Sequence, residues 1–166
     1  MTVKPGLTFT AGGAEIAVYS EHATAAFICL YDETGAQEIG RVELSSDGSG
    51  WRRAELPGLK PGARYGLRFD GPFEPWRGHR FDVSKLLVDP YASRLDRAFA
   101  LRPELFEFGA DTGPFAPKCV AVEEVVGEPG LLRRLRLNGM RADVSWRGPA
   151  KRYAALYRGL AAGPRG

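Results

Sequence analysis

The side chains able to do chemistry are few and scattered. Carboxylates stand side by side at Asp32-Glu33 and Glu123-Glu124. Acids at turns and strand ends are ordinarily solvated charge, and both pairs are read so. Cys29 and Cys119 are far apart, each in an apolar context, and no CxxC or Cys/His cluster exists. That pattern excludes a zinc site and fits buried free thiols of a cytoplasmic protein. No other metal or cofactor motif is present. The histidines, His22 and His79, have no second His or thiol beside them in sequence. His22 is expected at the surface without a partner, and His79 in a structural role. Trp51 and Trp76 remain, two large rings whose faces are candidates either for binding or for packing.

The elements that must position these groups are short strands. With 44% hydrophobic and 11% aromatic residues the chain is not generically disordered. Its 21 Gly and 12 Pro favour strands joined by turns over a helical bundle. Alternation predicts strands over Glu15–Ser20, Thr24–Tyr31, Glu38–Leu44, Trp51–Leu56, Arg64–Asp70 and Lys118–Glu123. Ile39, Val42 and Leu44 are candidate core positions, and the change of phase between 39 and 42 points to a bulge. Tyr65, Leu67 and Phe69 share one face, with Arg64, Gly66 and Arg68 on the other. Turn signals stand at 32–35, 45–50 and 57–62. From Gly71 to Phe81 the prolines and glycines argue against regular structure, and Asp82 or Ser84 is placed to cap a short helical turn through Leu87. Strands at this spacing are the signature of an antiparallel sandwich. The chain is too short for an eight-stranded β/α barrel, which needs roughly 200 residues. No apolar h-region opens it, and its longest apolar run, Ala25–Tyr31, has 7 residues, far below a membrane span.

Three stretches carry a resemblance. The first is Ile16-Ala17-Val18-Tyr19-Ser20-Glu21-His22-Ala23-Thr24 with Leu30-Tyr31-Asp32. The second is Leu56-Pro57-Gly58-Leu59-Lys60-Pro61-Gly62-Ala63-Arg64-Tyr65-Gly66. The third combines Gly71-Pro72-Phe73, Arg77-Gly78-His79-Arg80-Phe81 and Lys85-Leu86-Leu87-Val88-Asp89-Pro90-Tyr91-Ala92, and is the most specific. Together they resemble the N-terminal family-48 carbohydrate-binding module of isoamylase-type glycogen debranching enzymes. The resemblance implies an all-β, immunoglobulin-like early-set β-sandwich over residues 1–126. It also implies a module that precedes a catalytic barrel hydrolysing α-1,6 branches of glycogen or related α-glucan.

Retaining glycoside hydrolysis needs two carboxylates roughly 5–5.5 Å apart on a rigid scaffold. The resembled family supplies them from barrel loops, and those motifs are not in this sequence. The chain is therefore expected to be non-catalytic by itself and to associate with α-glucan. Sugar faces stack on aromatic rings while polar groups take the hydroxyls. Trp51 and Trp76 are the carbohydrate-binding candidates; the alternatives are core packing for Trp51 and a loop plug for Trp76. Trp76 departs from the family, which usually has a small or polar residue there. The resemblance places Phe73, His79, Arg80, Phe81, Leu86, Leu87, Asp89 and Tyr91 along the junction with the barrel. Without a barrel, Phe73, Trp76, Phe81, Leu86, Leu87 and Tyr91 are expected to form an exposed sticky patch that self-associates. Asp89, before Pro90, is expected to form a turn and accept backbone N–H bonds.

The net charge of +3 hides a seam. Residues 1–130 hold 14 Lys or Arg against 19 Asp or Glu, whereas residues 131–166 hold 9 against 1. The resemblance fades near Val126, so residues 127–166 are read as a basic tail. One reading is a nucleic-acid arm, with Trp146, Tyr153 and Tyr157 to stack on bases. Another is a packing helix over 149–162, begun at Pro149, with Tyr153, Leu156, Tyr157 and Leu160 on one face. The third is a frameshift after residue 126 in a GC-rich gene, leaving a fragment without independent function. Arg, Ala, Gly and Pro make up 21 of the last 36 residues, as GC-rich codons specify. The tail's charge is thus poor evidence for nucleic acid. No membrane partner is expected.

Overall fold

The computed structural model describes residues 3–123. The tail, its helix over 149–162 and the boundary at 126 lie outside the described residues.

Period-2 alternation has become two four-stranded antiparallel sheets. The strands are β1 (Gly6–Thr10), β2 (Gly13–Tyr19), β3 (Ala25–Tyr31), β4 (Glu38–Glu43), β5 (Ser45–Ser46), β6 (Trp51–Pro57), β7 (Arg64–Asp70), β8 (Phe73–Glu74), β9 (His79–Arg80) and β10 (Cys119–Val120). One sheet has the order β1-β2-β6-β5, the other β10-β7-β3-β4, and β8-β9 is a separate hairpin. This is the all-β sandwich that the strand spacing implies. No helix among the described residues is long and apolar enough to cross a membrane.

The core lies between the sheets, where one side of each strand meets the other sheet. Ala14, Ile16 and Val18 of β2 and Leu56 of β6 pack with Ala26 and Ile28 of β3 and Tyr65 and Leu67 of β7. Removing such a side chain from water is worth ~1.5–3 kcal/mol, so the alternation itself drives the sandwich. Leu44 is buried, but Ile39 is 65% exposed, against expectation. The β3–β4 register pairs Leu30 with Gly40 and Tyr31 with Glu38, so Ile39 is the extra residue of a bulge. A bulge is expected between 39 and 42, but the register runs unbroken from Gly40 to Glu43; the bulge lies at Ile39 itself and turns it outward.

Three other expectations are corrected. Residues 71–81 contain regular structure: β8 and β9 pair around a 3-10 turn at Pro75–Arg77, closed by Gly78 at φ 87°. No helix follows Asp82; its carboxylate accepts from the Ser84 N–H at 3.0 Å within a turn. Of the strand expected over Lys118–Glu123, only Cys119–Val120 is regular, and Ala121 extends it by backbone bonds to Gly62 and Ala63.

The outer face of the second sheet is not free. Two stretches of the segment after β9, around 83–86 and 111–116, cover it as a coat without strand or helix of their own. Cys29 and Tyr31 of β3 are buried there with Leu86 and Ala116. Leu86 sits directly on Gly66, where a Cβ would come within 2.7 Å of it. Side chains hold the coat down. Arg68, only 3% exposed, donates to the Val83 and Ser84 carbonyls at 3.1 and 2.5 Å and pairs with Asp111 at 2.7 Å. Within the segment itself, the Lys85 ammonium donates to three carbonyls, those of Glu104, Glu107 and Ala110, and ties it together. Lys118 is fully buried, donating to the Ala116 carbonyl at 2.5 Å with the Tyr31 ring 4.6 Å away. Both cysteines are buried and free.

Candidate functional site

Among the described residues, no segment coats the outer face of the first sheet. The β2–β6 register sets Tyr19 opposite Trp51, Ala17 opposite Arg53 and Glu15 opposite Glu55. Ile16, Val18 and Leu56 of these strands point into the core, so the intervening residues point out. Trp51 is half-buried and Tyr19 is 52% exposed. Their rings meet edge to face, centroids 5.6 Å apart at 75°. Trp51 is therefore no core plug, and Tyr19 is a partner that strand prediction alone had not singled out.

Local backbone fixes this aromatic pair. Gly50, at φ 87°, lies against the Tyr19 ring, and a Cβ there would come within 2.7 Å of it. The Gly50 carbonyl accepts from the Ser20 N–H at 2.8 Å, tying the end of β2 to the start of β6. Arg52 donates to the Ala23 carbonyl and anchors the next loop. The preceding turn is set by Asp47, which accepts from the Ser49 N–H at 2.9 Å and the Ser49 hydroxyl at 2.5 Å. Those bonds hold the Asp47 carboxyl below its ordinary range. Arg53 reaches Asp47 at 3.2 Å. Beyond it the face forms a polar cleft of about 330 Å³ lined by Lys4, Glu15, Ala17, Ser45, Arg53 and Glu55.

Trp76 lies elsewhere, on the turn between β8 and β9. It is 79% exposed and its ring meets no other aromatic ring among the described residues. It does not plug its loop. His79 does have a histidine neighbour, contrary to expectation: His22 and His79 stand 4.7 Å apart, edge to face, although His22 is exposed. His79 also stacks at 6.5 Å on Phe81. Sequence distance hid this pair, because β9 and the loop after β2 meet only in the fold. Among the described residues, no group of His, Cys, Asp or Glu is arranged to hold a metal.

The residues expected at a barrel junction divide into two sets. Phe73, Arg80, Leu87 and Tyr91 are exposed, and His79 and Phe81 are half-buried. Phe73 packs on Phe108 at 4.4 Å. Leu86 and Asp89 are buried, 6% and 3% exposed, and belong to no sticky patch. Leu86 is spent under the coat. Asp89 accepts from the Tyr65 hydroxyl and from the Tyr91 N–H, both at 2.9 Å, which is the expected turn with a core anchor added. An apolar cleft of about 300 Å³ brings Phe81, Leu87, Val88 and Tyr91 beside Tyr19 and Phe69.

Comparison with known proteins places this architecture. The sequence profile of carbohydrate-binding module 48, the isoamylase N-terminal domain, matches residues 4–92. The glycogen debranching enzyme of Yersinia enterocolitica is 41% identical over 125 residues, covering 72% of this chain and 18% of that enzyme. That of Serratia proteamaculans is 37% identical over 124 residues, with the same coverage of 72% and 18%. The chain thus spans 18% of the length of these curated relatives. Among solved structures, the pullulanase SAP of Group B Streptococcus aligns with TM-score 0.54 at 16% identity, over 74% of this chain and 15% of that one. The catalytic module of the pneumococcal glycogen-degrading factor SpuA aligns with TM-score 0.53 at 18% identity, over 74% and 17%. At these identities the two structures share the fold.

Proposed function

Because the chain belongs to the carbohydrate-binding module 48 family, we propose that it works as a non-catalytic, α-glucan-associated module corresponding to the front of a glycogen debranching enzyme. The observation that carries this reading is the Tyr19–Trp51 pair on a sheet face that none of the other described residues coats. Rings held by a rigid sheet offer sugar faces a preformed surface at little entropic cost. Trp76, exposed on its hairpin turn, is a second candidate contact. In a longer protein, the exposed part of the Phe73–Tyr91 segment suits contact with a catalytic barrel, and α-1,6 hydrolysis would belong to that barrel. The cytoplasm is the compartment that suits two free thiols.

Affinity electrophoresis in gels cast with glycogen tests the reading. The chain is expected to be retarded relative to a protein without sugar affinity. Unchanged mobility would leave only a structural role.

A further inference from the structure

Two exposed carboxylates face each other where the fold gains nothing from them. Glu15 and Glu55 are directly opposite across β2 and β6. Like charges so placed destabilise an antiparallel pair. Neither carboxylate accepts a hydrogen bond or pairs with a cation among the described residues. Arg53, the next outward residue on β6, is exposed beside them, with Ser45 across the β5–β6 pairing. Along the strands the face reads as an aromatic pair, then Arg53 opposite the small Ala17 with its guanidinium reaching Asp47, then two open acceptors. From Trp51 to Glu55 is ~13 Å of strand, longer than a single sugar ring.

We propose that this face is a saccharide track for a linear, neutral gluco-oligosaccharide lying along β2 and β6. One ring stacks on Trp51 and Tyr19. The next ones donate hydroxyls to Glu15 and Glu55 and accept from Arg53. Both signs of charge line the cleft, which suits a neutral ligand that donates and accepts over a polyanion that two carboxylates repel. Hydroxyl donors supply the acceptors that the fold leaves open. The glucan identity of the chain rests on the function proposed above, whereas the location and direction of the track rest on the β2–β6 face alone.

The test uses the whole chain, labelled with nitrogen-15 and titrated with maltose through maltohexaose, beside glycogen electrophoresis. Affinity is expected to rise with chain length, and amide shifts to concentrate at residues 15–19, 45 and 51–55. Trp51→Ala should weaken binding roughly tenfold or more, the scale of a lost stacking surface. The double variant Glu15→Gln, Glu55→Gln should melt higher than the parent yet bind several-fold more weakly, a pairing that simple damage to the fold does not produce. Ile39→Ser, on the far sheet, should bind as the parent does. Glycogen retardation of the parent with shifts confined to the Trp76 hairpin, and full binding by both variants, would overturn the track and leave the module reading standing. Neither retardation nor shifts in the parent would remove both.

Discussion

Replacing Lys118 by methionine should stabilise the protein at neutral pH, and the gain should fade as the pH climbs. Lys118 is fully buried. Its ammonium has one carbonyl partner and one ring face. Burial, and then the Arg97 charge, push it down to about 8. A lysine in the unfolded chain titrates near ~10.4. Folding therefore favours the neutral amine. The penalty on the charged form is fully present below about pH 8 and is lost as the pH approaches that of the unfolded lysine. It amounts to ~3 kcal/mol at pH ~6.5 and under ~1 kcal/mol at pH ~10. Methionine removes the charge while forfeiting the carbonyl bond and the ring contact, each ~1 kcal/mol. Urea melts of both proteins measure the difference at each pH. Titrations that both proteins share, such as those of the cysteines, cancel in it. The difference should move by about 2.5 kcal/mol in favour of the parent between pH ~6.5 and pH ~10. A difference constant to within ~0.5 kcal/mol would refute the view that Lys118 enters the fold at a desolvation cost.

Other perturbations read different parts of the molecule. Arg68→Met strips the coat of two carbonyl bonds and an ion pair and should cost ~3 kcal/mol by denaturant melts, with no rescue by Lys, which lacks the fork. Tyr65→Phe leaves buried Asp89 without its hydroxyl donor and should cost ~1–3 kcal/mol, read as a lower urea midpoint at unchanged slope. Gly50→Ala strains a left-handed position and displaces the Tyr19 ring, so it should lower both the melting temperature and glycogen retardation. Loss of stability with full retardation would separate the ring pair from binding.

The sandwich was legible because one face of each long strand is apolar at period two. Tyr65, Leu67 and Phe69 fall on the core side as their spacing requires. What period two cannot report is a second layer. Arg68 sits on the polar phase of β7, which faces away from the core, yet the coat buries it. The strand Gly6–Thr10 carries little signal, being five residues that begin in a glycine after a proline. The 73–80 hairpin was hidden by proline and glycine that serve its turn. Trp51 was legible as a candidate, but the rest of its face depended on register. Glu15 and Tyr19 lie on one predicted strand, and Trp51, Arg53 and Glu55 on another; only their pairing sets them opposite each other.

The irregular coat has a kinetic consequence. It meets β7 in one backbone bridge, Leu67 with Leu87, is gripped by Arg68 and is tied to its own neighbouring loop by Lys85, so it can open without the sandwich unfolding. Cys29 lies beneath it on β3, while Cys119 packs in the core between the sheets. The two thiols thus clock two different events. A thiol reagent should label Cys29 at the rate set by opening of the coat and Cys119 at the slower rate of global unfolding. One protein thereby carries separate gauges for the durability of its outer layer and of its core.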